Sequence, residues 1–123
     1  VSVPPQDHLL AAYGTLRPGE PNEHIMEGMH GTWTPALICA RLYPSGVGRA
    51  EGYPGVVLDP AADAVPVQLF ASADLPDHWG RLDEFEGPGY RRVPVQAEVP
   101  VEEQTVTAWI YELVPEAVPP QRD

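Results

Sequence analysis

Sixteen prolines and eleven glycines among 123 residues limit what this chain can become. Proline removes a backbone donor and locks φ, while glycine admits turns that other residues resist. Long uninterrupted helices are therefore excluded, and many short elements joined by tight turns are expected. The length suits one domain, and neither a linker nor an internal repeat divides it. With 43% hydrophobic residues the chain has the apolar material for one packed core.

The apolar run from His8 to Tyr13 ends at Gly14 and reads as a buried strand. Pro21 and Asn22 open a short helix that turns Ile25, Met26 and Met29 inward and stops near Gly28 or Gly31. Residues 32–43, 56–58 and 65–70 read as strands, with Pro35 marking an edge or bulge. Residues 74–86 form the clearest helix: Asp74 as N-cap, Pro76 in the first turn, Asp77 at the capping-box position and Gly87-Pro88 as the stop. Residues 90–99 and 105–113 alternate apolar and polar side chains and pair as a hairpin. The sum is an α+β domain over residues 1–123, with a core of about 8–113 and loose ends at 1–7 and 115–123.

The net charge is −11, with 18 acidic residues against 7 basic ones. No basic stripe exists to displace the counterions of a nucleic acid, and an anionic membrane surface would repel the chain. No apolar run approaches the roughly 20 residues that span a bilayer. The first residues lack the basic and apolar regions of a signal peptide, so a cytoplasmic location is expected. Cys39 is the only cysteine; it excludes an internal disulfide and reads as a small buried strand residue. His8, His24, His30 and His78 lack metal-ligand spacing, and no GxSxG motif supports a serine triad. No cofactor and no metal are expected.

Two features point to chemistry. At about 100° per helical residue, Leu75, Leu82 and Glu86 fall within roughly 60° of Trp79, so Glu86 shares the apolar face while Glu84 points away. A carboxylate there, in the last helical turn, is desolvated and opposed by the helix dipole. Both effects raise its pKa toward that of a general base near neutrality. The other outcome is that the helix frays and Glu86 reaches solvent or pairs with Arg91 or Arg92. The second feature is the junction Tyr13-Gly14-Thr15-Leu16-Arg17-Pro18-Gly19. A glycine directly after a buried strand lets backbone N–H groups turn toward a carboxylate or carbonyl. Gly14 to Gly19 has phosphate-loop spacing, but Glu20-Pro21 replaces the required Lys-Ser/Thr. Taken by itself, the junction is also consistent with a plain turn.

Together these segments carry a family resemblance. Tyr13-Gly14-Thr15-Leu16-Arg17-x-Gly19-x-x-Asn22 resembles the YGTL(R/K)xGxxN signature of γ-glutamylcyclotransferase-like (AIG2-like) proteins. Leu82-Asp83-x-Phe85-Glu86-Gly87-x-x-Tyr90-x-Arg92-x-x-Val95 resembles their LDxFEG…YxRxxV segment, and Tyr53-Pro54-Gly55 their YPG turn. The resemblance implies a small mixed β-barrel with flanking helices and a small-molecule γ-glutamyl substrate. It puts the general base/acid at Glu86 and substrate-binding positions at Tyr13, Gly14, Thr15, Leu16, Tyr90 and Tyr111. Val67-Gln68-Leu69-Phe70 departs from the family's GEVYxV strand, which is expected to reshape a pocket wall. The chain is also short at its C-terminus, so a tail that caps the pocket in larger members is expected to be missing.

The implied reaction suits so sparse a set of groups. The substrate's own α-amine attacks its side-chain carbonyl, closing a five-membered ring and releasing an amine, so proximity supplies much of the acceleration. Neither an enzyme nucleophile nor a metal is needed. The alternative is a binding or regulatory module with the same pocket but no turnover.

Overall fold

The computed structural model describes residues 4–14, 17–20 and 23–119. Six strands appear: β1 (Leu9–Ala12), β2 (Thr32–Tyr43), β3 (Gly55–Leu58), β4 (Ala64–Ala71), β5 (Tyr90–Val99) and β6 (Gln104–Leu113), with one α-helix, α1 (Trp79–Glu86). β1 lies between β4, antiparallel, and β6, parallel through Leu10 opposite Trp109. β5 and β6 form a long hairpin, and β2 pairs along β4. A contact of β2 with β5 at Leu37 and Glu98 closes the ring β2–β4–β1–β6–β5. β3 adds to the outer part of β2. The fold is thus a closed five-stranded barrel with a sixth strand and one helix, the α+β architecture expected.

Strand periodicity fills the barrel. Leu9, Ala11, Ile38, Leu69, Val95 and Ile110 meet inside it, as alternation across a pleat requires. β1 is apolar throughout because both faces are covered. Leu10 points outward into a second cluster with Phe70, Leu75, Trp79, Leu82 and Tyr111, beneath α1. That coverage explains the unbroken apolar run. The same alternation corrects the reading of Cys39: with Ile38 and Ala40 buried, it faces outward and is exposed.

Elsewhere tertiary contacts overrode local signals. The helix expected over 74–86 is split into a 3-10 turn, Leu75–Asp77, and α1, separated by His78. The His78 ring, through Nδ1, takes the Asp74 carbonyl at 2.8 Å. The His78 N–H goes instead to the Leu75 carbonyl, also at 2.8 Å. Asp74 makes no capping bond; its carboxylate accepts the His30 N–H at 2.8 Å. The earlier expected helix is a 3-10 turn, Glu23–Met26, with Met26 and Met29 buried; Pro21 and Asn22 lie outside the described residues.

Residues 4–7 and 115–119, expected to be loose, are held. The Trp79 indole donates to the Asp7 carbonyl at 3.0 Å and the Trp109 indole to the Asp7 carboxylate at 2.9 Å. Indole N–H groups on a covered face need acceptors, and the chain start supplies them. At the other end Ala117 is buried against Ala50 and Leu113, and its carbonyl accepts the Val47 N–H at 2.8 Å. Among the described residues, no helix is long and apolar enough to cross a membrane.

Candidate active site

Glu86 is the last residue of α1, and Gly87 ends the helix with φ 76°, a conformation that favours glycine. Trp79 and Leu82, buried on the same helical face, hold that face against the barrel. The half-buried Glu86 side chain opens into a cavity of ≈ 410 Å³. Burial pushes its pKa up from 4.5 to about 7, because charge is poorly solvated there. The pairing considered from sequence does not form: Arg91 binds Glu112 at 2.8 Å and Arg92 binds Asp83 at 2.9 Å. Among the described residues, nothing hydrogen-bonds or ion-pairs with the Glu86 carboxylate.

The facing wall comes from the end of β1, through Ala12, Tyr13 and Gly14. The Tyr13 hydroxyl donates to the Tyr111 carbonyl at 2.6 Å. The Gly14 carbonyl accepts from Arg17 twice, from the backbone N–H at 3.3 Å and from Nε at 3.0 Å. Arg17 is itself paired with Glu20 at 3.1 Å. The strand-to-loop junction is thus clamped from its own following turn. Thr15 and Leu16, also expected at the site, lie outside the described residues.

Tyr90 and Tyr111 line the same cavity, as expected. Tyr90 donates to the Pro54 carbonyl at 2.5 Å; burial, then the Glu86 charge, push its pKa up to about 12. Tyr111 donates to Asp83 Oδ1 at 2.6 Å; burial, then this bond, raise its pKa strongly. Burial likewise raises Tyr13. Burial works upward on Asp83 too, but hydrogen bonds from Arg92 and Tyr111 outweigh it and hold the carboxyl low. The Arg92 guanidinium lies between the Trp79 and Trp109 rings, 4.5 and 4.7 Å from their centroids. Tyr13, Tyr90 and Tyr111 therefore stay neutral and committed, whereas Glu86 is the one carboxylate among the described lining residues and carries no bond that would hold its proton.

Sequence reasoning missed other parts of the wall: Arg49, Tyr53, Pro54 and Phe85. Tyr53 and Pro54 belong to the YPG turn, where a signal existed. Arg49, a single arginine in a glycine-rich stretch, offered none. Residues 67–70, expected to reshape a wall, do not line the cavity. Val67 and Leu69 fill the barrel instead, and Phe70 packs on Trp33 with ring centroids 4.7 Å apart.

The family model described as gamma-glutamyl cyclotransferase, AIG2-like, matches residues 10–123. Among solved structures, YkqA from Bacillus subtilis is similar with a TM-score of 0.66 and 27% identity, over 86% of this chain and 35% of that one. The chain thus spans about a third of the length of YkqA. An AIG2-like protein from Mus musculus matches with a TM-score of 0.60 and 22% identity, over 89% of this chain and 81% of that one. A gamma-glutamyl cyclotransferase structure gives 0.67 and 20%, over 87% of this chain and 66% of its own. At such identities the last two establish a shared fold. No curated protein gives a significant match.

Proposed function

The chain belongs to the gamma-glutamyl cyclotransferase, AIG2-like family, and on that footing we propose that it releases 5-oxoproline from a γ-glutamyl amine or other γ-glutamyl-acylated small molecule. The observation that carries this reading is an uncommitted carboxylate with a pKa near 7 in a cavity shared with Gly14. In its ionised form Glu86 takes a proton from the substrate's α-ammonium. The freed amine attacks the γ-carbonyl carbon, forming the new C–N bond of the five-membered ring. The old C–N bond then breaks as Glu86 returns its proton to the departing nitrogen; the ring nitrogen sheds its second proton, which passes through solvent to the released amine, leaving 5-oxoproline and the amine as its ammonium ion. A pKa near the working pH suits a group that must act first as base and then as acid. The Gly14 amide would steady the carbonyl oxygen as it gains charge, and the neutral phenols keep competing charges away from it.

The direct test is 5-oxoproline release from a panel of γ-glutamyl compounds. Wild-type protein should turn over at least one of them, and Glu86→Gln should lose roughly 10²–10⁴-fold in rate. Turnover by Glu86→Gln at the wild-type rate would overturn the role given to this residue. A ligand-induced rise in melting temperature without turnover would replace the enzyme reading with that of a binding module.

A further inference from the structure

Eighteen acidic residues surround seven arginines in this chain, so an arginine here has many possible partners. Most of them are taken. Arg17, Arg41, Arg91 and Arg92 hold Glu20, Asp59, Glu112 and Asp83, and Arg81 donates to the Ile25 carbonyl at 2.7 Å. Among the described arginines, only Arg49 has neither an ion pair nor a hydrogen bond. It is exposed, and it lines the cavity that holds Glu86.

Its backbone is not loose. Ala50 is fully buried against Leu113 and Ala117, and the Val47 and Ala50 N–H groups are bonded at 2.8 and 3.2 Å. A Cβ on Gly89 would stand 3.0 Å from the Ala50 nitrogen and 3.1 Å from the Arg49 carbonyl carbon. The turn that presents Arg49 is therefore seated on the chain just past Glu86. A guanidinium left unpaired at a fixed point on a cavity rim, in an acidic protein, is suited to bidentate capture of a carboxylate from outside.

Which carboxylate follows from the substrate's own chemistry. The α-carboxylate shares a carbon with the attacking nitrogen, so it stays beside Glu86 and Gly14. The part of the molecule that can extend to an exposed rim residue is the departing amine. We infer that Arg49 selects substrates whose amine half carries a carboxylate, preferring γ-glutamyl amino acids to γ-glutamyl amines of the same shape. This rests on the cyclotransferase reading above.

The test uses matched pairs, γ-glutamylglycine with γ-glutamylmethylamine and γ-glutamylalanine with γ-glutamylethylamine. Wild-type protein should favour the acid of each pair by on the order of tenfold in kcat/KM. Arg49→Met should bring the ratio close to one, Arg49→Lys should restore part of it, and Arg49→Glu should invert it. Equal loss on both members of a pair would assign Arg49 to the shared α-carboxylate and overturn the proposal. Calorimetry on the Glu86→Gln protein separates this from the proton-transfer reading, because the same preference should appear in Kd without turnover. Equal Kd values, or no binding, would overturn the role of Arg49. A preserved Kd preference in a protein that never forms 5-oxoproline would instead remove the reaction and leave the recognition standing.

Discussion

Glu86 keeps its proton to about pH 7 because its cavity solvates charge poorly, and two predictions follow from that one fact. The base form is the ionised one, so kcat/KM should rise with pH and level off above an inflection near 7; a profile flat from pH 5 to 8 would contradict it. The effect on stability has the opposite direction. The native carboxyl holds its proton more tightly than the unfolded one, so its contribution is fully present below the unfolded pKa of 4.5 and is lost as pH rises through about 7. Glu86→Gln should accordingly stabilise the fold above pH 7, by on the order of 2 kcal/mol once partial exposure is allowed for. Urea titrations of both proteins at pH 5 and pH 8 measure this: the gap between them should be clearly larger at the higher pH.

Two glycines at the level of elements predict opposite outcomes for one change. A Cβ on Gly55, at the start of β3, would lie 2.4 Å from Leu113 Cγ, and Leu113 is 1% exposed and has nowhere to go. Gly55→Ala should cost about 1–3 kcal/mol through overpacking, and it should disturb the adjoining Tyr53-Pro54 wall. Gly80, in α1, has nothing within 4 Å of its Cβ position, so Gly80→Ala should stabilise by about 0.5–1 kcal/mol. Chemical denaturation of both variants reads the two signs. The elements also show where sequence was legible. β2 and β5 were readable because alternation is written residue by residue, and Glu86 stood out because a helix repeats its face every three or four residues. Asp74, His78 and Arg49 were not readable. Their roles depend on His30, on a ring competing for a carbonyl, and on a turn seated against Gly89, all of them contacts without local periodicity.

The whole molecule carries a net charge of −11, and like charges on one small body repel. Added sodium chloride should raise the melting temperature between 10 and about 200 mM as the Debye length shrinks below the spacing of surface charges. A melting temperature that falls over this range would show that the ion pairs of Arg41, Arg91 and Arg92 outweigh the general repulsion. The ring has one further implication. β1 is flanked by β4 and β6, so the first strand of this barrel gains one of its two neighbours only when the barrel's sixth strand has been made. A nascent chain that still lacks Tyr111 already carries Glu86 but not the wall that completes its cavity. The cavity beside Glu86 therefore closes late, when β6 docks between β1 and β5 and brings Tyr111 into its wall.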